Sequence, residues 1–399
     1  RLFIMGHGIS LTGSWMHRMA QGYLVYEITG SALWVGIIDA IATLPILLFS
    51  LFAGVILDHF PKQHVVRITQ AVQCLSGITL GIVVLTGNES LLILGVLGFI
   101  TGCASSIDLP ARFSLPMDLV GKKDLHAAYA LNMSTVHTAR ILGPAVGGFL
   151  IAGVGVGWVF LINGLTFLAP FIAFTLISFP PFVQRIHDNV FIAIRDGVSY
   201  ALNHAELRLL LMYTAIFGVF GWSYTTMLPV FASDVYAMGP SGLGLLFSAA
   251  GAGTVLGGFV MSGISRLGFN PHRLILFGSV LYSLSLFFFT LHPWFILALG
   301  LLFIVGFGQA FQNSTVHTRV QMLCTDAMRG RVSSIQSVML QGMQPIGSFQ
   351  VGLVASLLGP QIAVGLGALT MFVSGMLLYR LFPVESVKRP FERIEKPII

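Results

Sequence analysis

Charge is scarce in this sequence. Only 9% of its 399 residues are Asp, Glu, Lys or Arg, against about 25% in soluble globular domains. With 55% of the residues hydrophobic and a mean hydropathy of +0.88, the chain reads as an integral membrane protein. Cysteine is also sparse. Cys74, Cys103 and Cys324 all fall in apolar runs and are too few for a disulfide framework or a metal site. They read as small buried hydrophobes. There is no phosphate-binding loop, no zinc spacing and no nucleophile elbow. The expectation is therefore no enzyme, no ATP drive, no cofactor and no metal. No cleavable signal peptide stands at the start of the chain.

What the sequence does have is long apolar runs and 45 glycines. The runs are continuous rather than alternating, which argues against a β-barrel. Measured against the ~20 residues a helix needs to cross hydrocarbon, they give twelve spans. These lie near 2–26, 33–57, 65–86, 91–114, 125–153, 157–180, 207–233, 242–265, 273–291, 294–318, 331–358 and 361–382. With the N-terminus placed in the cytoplasm, every Lys and Arg outside the spans falls on the inside. The outer loops hold only Glu27, Glu89 and Asp234. That asymmetry sets the orientation, with both termini inside an inner (cytoplasmic) membrane. It also explains the net charge of +6 without any nucleic acid.

The longest break, 181–206, carries Phe191, Ile194, Val198 and Leu202 at helical spacing. It reads as an amphipathic linker helix on the inner surface. It separates an N-terminal bundle, 1–180, from a C-terminal bundle, 207–382, with a basic tail over 383–399. The halves echo each other weakly: Arg112 after the fourth span matches Arg319 after the tenth. Two six-span halves around a central site is a transporter pattern.

Two motifs carry a resemblance over the whole chain. After span 2 the sequence reads Gly54-Val-Ile-Leu-Asp58-His59-Phe60-Pro61-Lys62-Gln63, with Arg67 a turn later. In span 5 it reads Gly143-Pro144-x-x-Gly147-Gly148. Together these resemble the major facilitator superfamily. The first is similar to its Gly-x-x-x-Asp-Arg-x-Gly-Arg-Lys loop, with His59 and Pro61 departing from the pattern. The second is similar to the motif of its antiporter branch. Trp15, Ala20-Gln21, Thr29-Gly30-Ser31, Asp108-x-Pro110-Ala111-Arg112 and Ala139-Arg140-x-Leu142-Gly143-Pro144 resemble one subgroup of drug and siderophore exporters, the enterobactin exporter and macrolide efflux pumps among them. The resemblance implies an all-α fold of twelve transmembrane helices in two six-helix bundles.

Ionisable residues inside apolar spans are expensive and mark function or a buried pair. Arg18 and Asp39 lie at equal depth on adjacent antiparallel spans. They read as a protonatable site tuned by an arginine, or as a permanent structural pair. Arg140 lies at mid-membrane with His137 one turn before it. It reads as a positive site for an anionic group, or as an arginine that anchors span 5; His137 reads as a proton relay or a packing residue. Asp108 and Arg112, four apart, join Asp58, Lys62 and Arg67 as a cytoplasmic gate, the alternative being a solvated loop. The second half offers amides, hydroxyls and aromatics: Trp222, Tyr224, Gln309, Asn313 and Gln341. With Gln21 these are the expected substrate cavity. Gly143, Pro144, Gly147 and Gly148, with Gly253 and Gly257, are the expected hinge and packing seam between the halves.

These residues together read as a proton-coupled secondary transporter working as a monomer. It exports a mid-sized amphipathic organic compound, such as a siderophore or drug, by alternating access. An importer of a small metabolite or a lipid flippase on the same fold stays open as the alternative. A non-transporting membrane sensor is the reading from another class.

Overall fold

The computed structural model describes residues 2–120, 124–177, 190–264 and 269–381. Among these residues every regular element is helical. The helices are α1 (Leu2–Thr29), α2 (Ala32–His59), α3 (Lys62–Leu85), α4 (Leu91–Val120), α5 (Leu125–Val154), α6 (Val156–Thr166) and α7 (Leu168–Leu176). After the linker come α8 (Val190–Asn203), α9 (Ala205–Ile216), α10 (Tyr224–Val230), α11 (Gly239–Ile264), α12 (Pro271–Leu291) and α13 (Phe295–Leu323). The last three are α14 (Asp326–Ser337), α15 (Gln344–Leu358) and α16 (Pro360–Leu381).

Ten helical columns among the described residues are long and apolar enough to cross a membrane. The two others expected from the sequence fall short of that measure. α1 carries His7, His17 and Arg18, and the α14–α15 column carries Gln336, Gln341, Gln344 and Gln350. Both pack against columns that do qualify, α1 against α5 and α15 against α2.

One end of the molecule is built from tight turns. Gly30, Gly87, Gly155, Gly239 and Gly359 end or join helices there with positive φ, between 56° and 95°. That conformation is costly for any side chain with a Cβ. We call this the upper end. The expected basic loop around Lys122 and Lys123, most of the linker before α8, and the basic tail lie outside the described residues. The described part of the linker is helical, but it does more than lie on a surface. α8 docks on α14, where Gly197 meets Arg331 and Asp196 pairs with Arg331 at 3.1 Å, and on the end of α13, where the Tyr200 hydroxyl donates to the Leu323 carbonyl at 3.2 Å.

Helices α1–α7 pack mainly on one another, as do α9–α16. The two groups meet along two long seams, α2 against α15 and α5 against α11. Each seam is built on a glycine pair. A Cβ on Gly148 would come 2.6 Å from the Pro240 carbonyl oxygen and 3.0 Å from the Gly244 Cα. A Cβ on Gly36 would strike the Ser348 carbonyl and sit 2.9 Å from the Gly352 Cα. Backbones this close need glycine on both sides. Part of the expected seam is placed elsewhere. Gly253 and Gly257 press on Phe303 and Phe307 of α13, inside the second group, while Gly143 and Gly147 press on α1 at Trp15 and Met16. Only Gly251 of that run reaches α5, at the backbone of Arg140.

Three π turns interrupt the described helices, at Phe217–Gly221, Phe231–Val235 and Val338–Gly342. All three lie in the two columns of the second group that face α1 and α2. A π turn widens a helix by one residue and re-aims the residues after it. The residues re-aimed in this way are Trp222, Tyr236 and Met343-Gln344.

Candidate functional site

Two polar clusters join the groups of helices, one below the other. In the upper one, Arg18 of α1 approaches Asp39 of α2 at 3.7 Å, so the pair expected from equal depth is brought together. Each member also reaches across. Arg18 donates to the Gln344 Oε1 at 3.1 Å. Asp39 accepts from Thr226 at 3.1 Å and from Ser348 at 2.5 Å. Between them is a cavity of about 30 Å³ bordered by Arg18, Gln21, Asp39, Thr225 and Thr226. That is room for a water or two, not for an organic cargo. The buried Gln21 amide nitrogen at its edge has no hydrogen-bond partner, so a water there has a donor to meet. Nearer the upper surface the Tyr26 hydroxyl donates to Asp234 across the same boundary.

The second cluster is centred on Arg140. It stands 15 residues from the start of α5, about 22 Å along the helix at 1.5 Å per residue, which is mid-membrane. Its guanidinium carbon lies over the Trp15 ring at 5.5 Å and over the Trp222 ring at 4.9 Å. Both distances are within cation–π range. It donates to the Gln309 Oε1 at 3.1 Å. The buried Tyr224 hydroxyl faces the same cation without meeting hydrogen-bond geometry. Among the described residues no carboxylate lies within 4.0 Å of Arg140, and no hydrogen bond ties it to His137. Of the expected cavity residues, Trp222, Tyr224 and Gln309 converge here and Gln21 lines the upper cavity. Asn313 and Gln341 are partly buried and join neither cluster.

Below Arg140, an apolar groove of about 620 Å³ follows the α1–α5 boundary past Met5, Ile9, Thr12, Leu131 and Thr135. It ends at Thr138 and Ala139, next to Arg140 in sequence, and none of its lining residues is charged.

Asp108 and Arg112 form an ion pair buried to 1% and 5% exposure, wholly within the first group. Asp108 accepts from Thr69 and Gln70 of α3, each at 2.9 Å. Arg112 donates to Ser10 of α1 at 2.9 Å and meets the His7 Nδ1 at 2.9 Å. These partners make the pair a staple joining α1, α3 and α4, all of them in the first group. Arg67 caps the Gln63 carbonyl at 3.3 Å, and Lys62 has a partner of its own. The Asp58 side chain is outside the described set.

The second group carries a matching staple that sequence reading missed. Arg319 grips Glu206 with two hydrogen bonds, 2.6 and 3.0 Å, and His272 adds a third at 3.1 Å. The correspondence of Arg112 with Arg319 was the signal that could have found it. Gln312, another amide in the polar stretch of α13, is held inside the second group by Tyr213 and Ser279.

The profile of a family described as a transmembrane secretion effector matches residues 1–398. A staphyloferrin A transporter of Staphylococcus aureus (strain NCTC 8325 / PS 47) is 23% identical over 364 residues, covering 90% of each chain. An enterobactin exporter of Shigella flexneri is 25% identical, covering 91% of this chain and 83% of that one. Among solved structures, the nucleoside transporter NupG superposes with a TM-score of 0.76 at 12% identity, over 96% of this chain and 98% of that one. A bacterial homologue of the human lysosomal transporter Spinster, in an inward-facing and unoccupied conformation, gives 0.70 at 16%, over 95% and 94%.

Proposed function

The chain belongs to the transmembrane secretion effector family of major facilitator transporters, and on that premise we propose that it is a proton-coupled exporter of an amphipathic, siderophore-like compound. It is a multi-pass membrane transporter of a small molecule and not an enzyme. The siderophore class is supported by the names of its relatives. Export is supported by the antiporter-type Gly143-Pro144-x-x-Gly147-Gly148 run. The upper end faces outward and both termini face the cytoplasm, a reading supported by the distribution of Lys and Arg. The chain works as a monomer of two bundles, 1–180 and 207–382, joined by the linker and followed by the basic tail. Asp58, Lys62 and Arg67 latch the cytoplasmic side when that side closes.

One observation carries the mechanism: Asp39 is held at once by Arg18 of its own bundle and by Thr226 and Ser348 of the other. While it is ionised it draws the outer ends together. A proton arriving from outside neutralises it and weakens all three contacts, the two hydrogen bonds being worth about 1.5–3 kcal/mol each. The outer side then opens and cargo leaves. Resetting carries the proton inward. A membrane potential of about 150 mV supplies roughly 3.5 kcal/mol per charge, a gradient of a few hundred-fold. The apolar groove along α1 and α5 offers surface for the greasy part of an amphipathic cargo.

The test is uptake of metal-free siderophores into inverted vesicles under an imposed pH gradient. Uptake that collapses with the gradient and with Asp39→Asn supports the proposal. Uptake that is indifferent to both contradicts proton coupling at this site. Uptake seen only in right-side-out vesicles contradicts export.

A further inference from the structure

Among the described residues Arg140 is a cation without an anion. A guanidinium offers five N–H donors, and the described residues give this one only neutral acceptors, Gln309 at 3.1 Å and, more loosely, the facing Tyr224 oxygen. Two indole faces, Trp15 and Trp222, bracket it, and the Tyr224 hydroxyl, 2% exposed, has its own proton still to place. Holding an unpaired charge at mid-membrane is costly unless something complements it. The staples lower down show what a finished arginine looks like in this chain: Arg319 and Arg112 each hold a carboxylate. The Arg140 cluster has every part of such a site except the carboxylate.

We propose that the missing partner is a carboxylate of the cargo, taken by the free N–H groups of Arg140 between the Trp15 and Trp222 rings. A carboxylate is flat and matches a guanidinium with two parallel hydrogen bonds. With Trp15 and Trp222 over the guanidinium, its planar N–H edge is what remains for an incoming group. The buried Tyr224 hydroxyl supplies a further donor. Because Trp15 and Arg140 belong to the first bundle and Trp222, Tyr224 and Gln309 to the second, the site is whole only while the bundles meet at mid-membrane. Parting them removes one ring, the amide and the phenol together, so the carboxylate is released as the exporter opens. This deepens the exporter reading and rests on it for the identity of the cargo, but the site itself can be tested without transport.

The experiment is binding to the purified full chain in detergent, read by tryptophan fluorescence and by thermal melting. The probe is citrate, with trimethyl citrate and inorganic phosphate as comparisons. Citrate should quench the fluorescence and raise the melting midpoint, the ester should do neither, and phosphate should bind at least ten-fold more weakly. Arg140→Gln should abolish binding. Arg140→Lys, which keeps the charge and loses the fork, should weaken it at least ten-fold. Trp222→Phe should weaken it about five-fold and remove most of the quench, which ties the signal to this site even if the arginine variants fold poorly. Equal binding of the ester, equal binding of phosphate, or citrate binding unchanged by Trp222→Phe and Arg140→Lys would each overturn the proposal. Citrate binding without siderophore export would instead sink the exporter reading and leave the carboxylate site standing.

Discussion

The two bundles divide polarity unequally. At the boundary between them the first supplies ions, Arg18, Asp39 and Arg140, and the second answers with neutral groups, Gln344, Thr226, Ser348 and Gln309. The Tyr26–Asp234 contact puts the charge on the other side but keeps the rule, one charged group and one neutral. Full ion pairs occur inside a bundle: Arg112 with Asp108, Arg319 with Glu206, and Arg18 with Asp39. The difference has a physical reason. Removing one partner from a buried ion pair costs about 3–5 kcal/mol, because it strands a charge. Breaking a hydrogen bond between an ion and a neutral group costs about 1.5–3 kcal/mol. Bundles that must part are better joined by the second kind, and helices that must not part by the first.

That contrast sets the order of the expected effects. Glu206→Gln leaves Arg319 without an ionised partner, so it should lower the unfolding free energy by about 3–5 kcal/mol, read as a large fall in the melting midpoint in detergent. Asp108→Asn should do the same in the other bundle. If either variant melts like the parent, the staples are not structural. Asp39→Asn should fall on the other side of the comparison. It should shift the melting midpoint little but reduce gradient-driven transport more than ten-fold, a loss of over 1.36 kcal/mol of coupling. Gly148→Leu drives a side chain into the Gly244 backbone. It should hold the outer ends apart and raise the labelling rate of a cysteine placed at Thr226. An unchanged rate would mean that the glycine seam does not set the closed state. The smallest effect belongs to Tyr26→Phe, which removes one hydrogen bond near the surface. A change of about 1 kcal/mol, no more than five-fold in transport rate, is expected.

Much of this was legible in the sequence, for reasons that can be named. Equal depth on adjacent spans placed Arg18 beside Asp39, because 1.5 Å per residue along antiparallel helices is reliable arithmetic. Arg140, Trp222, Tyr224 and Gln309 stand out in the sequence as polar and aromatic groups in apolar spans, and the structure brings them together. The π turns were not legible. Phe217–Gly221 and Val338–Gly342 have the same apolar composition as the α-helical turns around them, and one extra residue leaves no mark on hydropathy. The seam partners were not legible either. With 45 glycines in the chain, helical spacing says which glycines share a face but not which neighbour that face meets. So nothing in the sequence singles out Gly36 and Gly352, and the boundary expected of Gly253 and Gly257 is occupied by Gly244 and Gly251. The Glu206–His272–Arg319 staple joins three helices across 66 and 113 residues of sequence. Only the internal repeat could have pointed to it.

The most direct test of the central claim needs no cargo. Spin labels on Asn88→Cys and His292→Cys, exposed outer turns of the two bundles, report the distance across the outer seam in a chain with Cys74, Cys103 and Cys324 replaced by alanine. With aspartate at position 39 a single short distance is expected, and Asp39→Asn, which fixes the neutral state, should show a longer population. A distance distribution that Asp39→Asn leaves unchanged would contradict the account.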